Sequence, residues 1–563
     1  MAILDKFRYE IDTPGWRQLK PVDVAHAAGG LMCCDKRNDR QCDHGLWQLS
    51  SATALYKCSA RYNGTQLMGS PALAAFAAGG GMWYVPSFGI TGTIGVGSTT
   101  TKIVTSAASS MGSVIGALGT NQLVTTDTDY GYRIRIINKA TGRTEERFIR
   151  GNTASATPTI YLDGPLQSAP NSGDLFEIQS GGVMILAATT TAAGQTRYFN
   201  QANQTFANAG ATGITTGTAA SGVVLDELYV PFDRKTGEGF LVGAGTYDNS
   251  YTSEIDGSTI DETKGCLTAT ATGASTLTGE AAAGDYQVLA NEYRNFQIRI
   301  VEDTGTPTAV GQRRMIASHT AGTSPVYTLG AAWSVQPSAT AKYVIENPNL
   351  LLVQSNTQVA MLTYNLSNAS ITNGTNTIAA FTWSSTYMGA AGGTAHAAVV
   401  VAGTMAFPCY GHQPQRQNDG TKLSRHSYVW FFRGNSTTLD LFDLAGGTAG
   451  TWTNAVTYSG TATTFSTGAC GDYDAVTWSG EYAYIQNYVA AGPTLMYQFN
   501  VSAASLVPWV KTPLQSGTAA IGNRLCITSH CPDGNSVTPE DKLSMMYLLS
   551  HLSTVMFRSD ITG

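Results

Sequence analysis

A chain of 563 residues and 59.3 kDa is longer than one hydrophobic core usually serves, so several cores or a closed repeat architecture are expected. Charged residues make up 13%, against ~25% in ordinary soluble domains, while 61 glycines and abundant Ser, Thr, Ala and Asn point to a turn-rich β-protein and away from a helical one. The net charge of −6, with Lys and Arg scattered, argues against sequence-specific nucleic-acid binding, and no apolar run approaches the ~20 residues of a membrane span.

At the N-terminus, "MAILDKFRYEIDTPGW" carries charges where a signal peptide needs an apolar core, which predicts a chain made in the cytosol without a signal peptide. Nine cysteines follow, at 33, 34, 42, 58, 266, 409, 470, 526 and 531. Two clusters stand out: "CCDKRNDRQCDHG" with Cys33, Cys34, Cys42, Asp43 and His44, and "CITSHC" with Cys526, His530 and Cys531. No CxxC pair occurs, so these are expected to be buried or loop thiols, and no metal or cofactor is expected. "GTIGVGSTTTK" (92–102) is glycine-rich, but no GKS or GKT follows and no strand–loop–helix context surrounds it, so nucleotide binding is not expected.

Two stretches in the middle of the chain are versions of each other. Ile134, Arg135 and Ile136 match Ile298, Arg299 and Ile300. Further on, Arg147, Ile149, Thr153, Pro158, Leu162, Pro170, Phe176 and Ile178 match Arg314, Ile316, Thr320, Pro325, Leu329, Pro337, Tyr343 and Ile345. Upstream, "TKIVTS" (101–106) is set opposite "GCLTAT" (265–270). Period-2 runs such as "YRIRII" and "FQIRIV", bounded by Gly and Pro, predict antiparallel strands, so each copy is a small β-module, at 97–179 and 263–346. Arg135 and Arg299 alternate with core-facing isoleucines and are expected to point outward. With Arg147 and Arg314 they form the candidate interface for neighbouring subunits, where alanine at 135 or 299 should spare thermal stability and weaken assembly.

The segments outside the modules, 1–96, 180–262 and 347–563, carry a fainter repeat. "TALYKCSARYNG" (53–64), "QTRYFNQANQTF" (195–206), "DELYVPFDRKTG" (226–237), "VAMLTYNLSNAS" (359–370), "TTLDLFDLAGGT" (437–448), "PTLMYQFNVSAASLVPW" (493–509) and "STVMFRSDITG" (553–563) share one plan. An alternating apolar strand ends at an aromatic or Leu and a polar turn follows. "LYVPFDRKTG" and "MYQFNVSAASLVPW" carry it best, and in them the chain resembles the Kelch-like β-propeller pattern. The resemblance implies an all-β, propeller-like disc of about six or seven blades, with the two duplicated antiparallel β-domains inserted. The last stretch stops where "TPGWRQL" (13–19) could continue, so one blade shared between the two ends would close the ring and remove exposed strand edges.

The paired modules resemble short β-domains of tailed-bacteriophage virion proteins: a strand of the type "vRI", a Gly turn, "R.I", then Thr-Ala, Pro and a final "Y.I". This implies a non-enzymatic structural component of a virion tail (nozzle, hub, neck or baseplate). Its expected partners are copies of itself in a symmetric ring and other tail or neck proteins. Two alternatives remain: a glycan-binding receptor-recognition protein on a virion or cell surface, and a propeller-fold polysaccharide hydrolase or lyase. For these the candidate residues are His412, Arg416, Arg425 and His426 in one long loop, and the acidic pairs Asp256/Asp261 and Asp472/Asp474. Solvated turns are the plainer reading of all of them. The tryptophans at 47, 83, 383, 430, 452, 478 and 509, with Tyr84, are expected mainly to fill wedges between blades.

Overall fold

The computed structural model describes residues 16–18, 31–34, 46–51, 53–58, 65–71, 81–85, 90–106, 119–121, 123, 133–140, 144–178, 182–187, 193–200, 205–215, 220–224, 228–229, 232–233, 238–239, 242–243, 267–279, 290–291, 293–322, 324–346, 349–354, 358–363, 371–373, 376–378, 405–408, 428–432, 436–443, 450–465, 469–473, 482–487, 495–501, 503–509, 524–530, 543–549 and 556–560. Within them the chain is all-β: one short 3₁₀ turn, Pro307–Ala309, is the sole helical element described.

Outside the modules, the described strands form six sheets of three or more strands, in which successive strands pair antiparallel, beside three two-stranded ladders. The first is Leu31–Cys34, Leu46–Ser51, Ala54–Cys58 and Thr65–Gly69; the second is Gly81–Val85, Gly182–Ala187, Ala193–Asn200 and Thr205–Thr215. The third has three described strands, Ala220–Val224, Asn349–Gln354 and Gln358–Thr363. The fourth is Met405–Pro408, Tyr428–Phe432, Leu439–Asp443 and Thr451–Val456. The fifth is Cys470–Tyr473, Tyr482–Asn487, Leu495–Asn500 and Ser505–Pro508, with Ser459–Gly460 added in parallel at its edge. In the sixth, Arg524–His530, Leu543–Leu549 and Met556–Asp560 are joined by Trp16–Gln18 from the other end of the chain, with Trp16 opposite Ser559 and Gln18 opposite Phe557.

The first strands of these sheets lie side by side in sequence order, and that of the sixth meets that of the first, so the series closes on itself. Period-2 patterning explains the stacking. In Tyr482–Asn487, Ala483 and Ile485 pack with Trp430 and Phe432 of the fourth sheet, while the intervening Tyr484 packs with Leu525 and Ile527 of the sixth. Polar ties run along the same seams: the Trp430 indole donates to the Val501 carbonyl at 2.8 Å, and the Ile527 amide donates to Asp472 at 2.7 Å. Deleting residues 1–18 would leave Met556–Asp560 as an open edge. Light scattering should then show soluble aggregates in place of a monodisperse chain.

Of the seven stretches sharing the fainter repeat, six supply the third strand of a sheet. "DELYVPFDRKTG" does not: Leu228–Tyr229 pairs with Val242–Gly243 and Phe232–Asp233 with Glu238–Gly239, in two-residue ladders outside the six sheets. Alternation and a turn are the local signature of any hairpin, so the stretch fits the pattern without building a sheet.

Each module interrupts its sheet at the same point, between the first and second strands, the first module in the second sheet and the second module in the third. The second is a closed barrel in the order Leu267–Gly273, Thr276–Gly279, Val326–Leu329, Arg313–His319, Gln297–Glu302, Lys342–Glu346. The first is a six-stranded sheet in the order Ile90–Thr93, Leu175–Ile178, Arg133–Ile137, Thr144–Asn152, Thr159–Leu162, Lys102–Val104, brought round by a bridge between Ile94 and Thr105. Its opening strand therefore begins before 97.

Equivalent hydrogen bonds fix the correspondence. Leu162 N–H donates to Thr101 O as Leu329 N–H does to Ser275 O, and Leu166 to Thr100 as Trp333 to Ala274. The counterpart of the "TKIVTS" strand is thus Thr276–Gly279, and the expected match to "GCLTAT" is corrected. Ile90–Thr93 is what corresponds to the strand after Cys266. Both segments are Thr- and Ala-rich, and with so few large side chains the sequence could not fix their register.

Candidate interface at the module junction

The Arg133–Ile137 strand shows how the candidate site is made. Alternation sends Ile134 and Ile136 into the core of the first module, with Ile103, Ile149, Ile160, Phe176 and Ile178. Arg135 faces the other way, as expected, yet its side chain is 0% exposed. Arg299, its counterpart, is 2% exposed. Both thus lie on the outer faces of their modules, but those faces cover each other, so alanine at either position is not expected to spare stability.

The link is Glu177. Its Oε2 accepts from Arg135 Nη1 at 2.8 Å within the first module, and its Oε1 lies 3.4 Å from Arg313 Nη2 of the second. Burial pushes the Glu177 carboxyl up, but Arg313, Arg135 and Arg299 together outweigh it and hold the group at about 2. An apolar seam accompanies the ions. Ile137 and the partly buried Leu175 of the first module belong to one cluster with Ile298, Ile300, Tyr343 and Ile345 of the second, and with Val429, Phe431 and Phe442 of the fourth sheet. The two modules are thus packed on each other and, through Val429, Phe431 and Phe442, on the fourth sheet. Ile137 and Leu175 form an apolar strip on the first module's outer face, and covering it removes that surface from water.

The other two candidate arginines are braces within their modules. Arg147 is buried, and both its Nε and Nη2 donate to the Pro165 carbonyl. Arg314 repeats the contact from its Nε to the Ala332 carbonyl at 2.8 Å, adds Ser334 Oγ at 2.9 Å, and lies over the Trp333 ring. Burial lowers the pKa of both guanidinium groups from the ordinary arginine value, and at Arg147 the nearby Glu145 and Asp163 oppose the shift. Lysine cannot supply this fork. Arg147→Lys and Arg314→Lys should each cost about 0.5–1.5 kcal/mol in urea unfolding, from the lost guanidinium hydrogen bonds to the Pro165 and Ala332 carbonyls.

A second duplicated polar device lies inside each barrel. In the first module Asn152 Oδ1 accepts from Leu123 N–H at 2.8 Å, while Asn152 N–H donates to Asn121 Oδ1. In the second, His319 replaces Asn152: its Nε2 accepts from Tyr293 N–H at 2.8 Å, its Nδ1 donates to Thr320 O at 3.0 Å, and its N–H donates to Asn291 Oδ1. Asn121 and Asn291 both sit at positive φ, +56° and +62°, which asparagine tolerates better than most side chains. Nothing in the sequence match singled out this pair, because Asn and His do not align by identity.

The remaining candidates divide simply. His412, Arg416, Arg425, His426, Asp256, Asp261 and Asp474 lie outside the described residues, as do Cys42, Asp43, His44, Cys266, Cys409 and Cys531. Asp472 ties the fifth sheet to the sixth. The glycine-rich stretch forms a hairpin turn in which Ser98 Oγ accepts from Val104 N–H and Gly97 takes φ +90°. Trp47 and Trp430 are buried between sheets, Cys33 is buried in the core, and the Cys470 thiol donates to Gln486. Among the described residues no cluster of three or more His, Cys, Asp or Glu could hold a metal ion, and no helix is long and apolar enough to cross a membrane.

Fold and junction define an all-β protein of antiparallel sheets carrying two docked, homologous β-modules. No family model matches the chain, and no curated protein matches it. A solved structure of apo AztD from Citrobacter koseri aligns over 74% of this chain and 91% of its own, at 10% identity and a TM-score of 0.18, too low to carry an argument.

Proposed function

We propose that the chain is a structural component of a tailed-phage virion, a ring protein of the tail built on a six-bladed β-propeller and acting through protein–protein assembly. The six sheets whose first strands follow one another in a closed series support the propeller reading, as does the strand contributed by Trp16–Gln18. The observation that carries the assembly reading is the docked pair of modules. They are inserted in adjacent sheets, are not needed to close the series, and are held to each other by a buried ion cluster and an apolar seam. Such a docked pair, repeated around an axis, offers each neighbour a preformed surface. A stable contact between copies would bury about 800 Å² per partner. Low side-chain charge, 13% of the chain, lowers the desolvation cost of that burial.

Light scattering and negative-stain imaging of the purified chain, alone and with tail proteins encoded beside it, test the reading. Closed symmetric rings are expected. A chain that stays monomeric in every mixture and binds a glycan array, or degrades a polysaccharide, would overturn it.

A further inference from the structure

The two modules share one fold but differ where they meet. Backbone register places Glu146, Arg135 and Glu177 in one row across three strands of the first module. The homologous row of the second, across the equivalent three strands, is Arg313, Arg299 and Val344. The first row carries two acids and one base, the second two bases and no acid, and they meet through the Glu177–Arg313 contact at 3.4 Å.

We propose that the duplicated faces have become a complementary pair, so that the first module recognises the second module of the same chain and rejects a copy of itself, with Glu177 and Arg313 as the residues that set this choice. A first-module face meeting a copy of itself would bring no arginine to the place Arg313 takes beside Glu177, and a second-module face meeting a copy of itself would gather Arg299 and Arg313 of both with no carboxylate in the row. The missing partner disfavours the first pairing and buried like charges the second, whereas the mixed pairing brings acid to base. Beside the row on the first module's outer face, Ile137 and Leu175 are apolar and select none of the three. Discrimination therefore rests on the charged row. Insertion at the same point of adjacent sheets puts the partner within reach on the same chain. The inference concerns docking within one molecule and holds whether or not the chain forms rings.

The test uses the full chain and a charge swap followed by calorimetry. Glu177→Arg and Arg313→Glu should each lower the transition of the modules by about 10 °C, the order expected for breaking a buried pair. The double variant Glu177→Arg with Arg313→Glu should recover part of the summed single losses, the 177–313 coupling alone because Arg135 still lies beside residue 177, while an equimolar mixture of the two single variants should recover none. Recovery in the mixture would mean that the contact forms between copies, and no recovery in the double variant would mean that these residues do not set recognition. Either result overturns the proposal. Should Glu177→Arg fail to fold, Glu177→Gln combined in a cycle with Arg313→Gln reads the same coupling, and strictly additive losses would be equally fatal.

Discussion

Replacing Arg135 with alanine is expected to destabilise the modules by about 3–5 kcal/mol, the range for removing one partner of a buried ion pair. The side chain is fully buried and its Nη1 donates to Glu177 Oε2 at 2.8 Å. Alanine removes that hydrogen bond, leaves a cavity the size of a guanidinium stem, and takes away one of three positive charges that hold Glu177 ionised. Folded-state pKa depression at Glu177 contributes stability above the ordinary carboxylate value of 4.5, which is lost as pH falls toward about 2. The variant should therefore also lose its folded modules at a higher pH than the parent does. Urea unfolding followed by tryptophan fluorescence, at pH 7 and again at pH 3, gives both readings. A change below about 0.5 kcal/mol at pH 7, within the range of ordinary surface substitutions, with assembly alone impaired, would restore the exposed-face reading.

The second large effect is acid sensitivity of the second module. Burial lowers the His319 imidazole from its ordinary 6.5 to about 4, with the Arg294 charge lowering it further and the bond to Thr320 O opposing the shift. Geometry gives the reason: one ring nitrogen accepts from Tyr293 N–H and the other donates to a carbonyl, so an added proton has to face an N–H group. The unfolded chain takes up this proton below about pH 6.5 and the folded chain only below about 4. Stability from the neutral ring is therefore complete above pH 6.5 and falls as pH drops to 4, by about 3 kcal/mol in all. The first module, with Asn152 at this place, should not show the loss. His319→Asn should transplant that behaviour. It gives up ring contacts with Tyr293 and Tyr327, costing about 1–3 kcal/mol at pH 7, but its stability should be flat between pH 6.5 and 4. Hydrogen exchange at the Tyr293 amide across that range is the measurement, and an equally steep loss in the variant would refute the assignment.

Much of the fold was legible because strand patterning is local. "YRIRII" and "FQIRIV" announce a strand with one apolar face, and Ile134, Ile136, Ile298 and Ile300 do enter module cores. The third strands of the six sheets share enough alternation to be recognised as a series, from Ala54–Cys58 to Met556–Asp560. "LYVPFDRKTG" shows the cost of the same locality, since a two-residue ladder and a sheet strand look alike over ten residues. The site was less legible. Alternation says that Arg135 opposes Ile134 but not what lies against it, and Glu177, the residue joining the modules, has no match in the repeat because Val344 stands at its counterpart.

What the amino-acid order determined by itself was the all-β class, the duplicated modules and the pairing of the chain's two ends, because each depends on period-2 patterning or on similarity between segments. Only the tertiary structure decided that the two modules face each other, that their outward arginines are buried, and that one glutamate serves both. Burial of the second face of a strand depends on what distant segments bring against it, and a charge at 177 meets a charge at 313 only once two separate insertions have folded and docked.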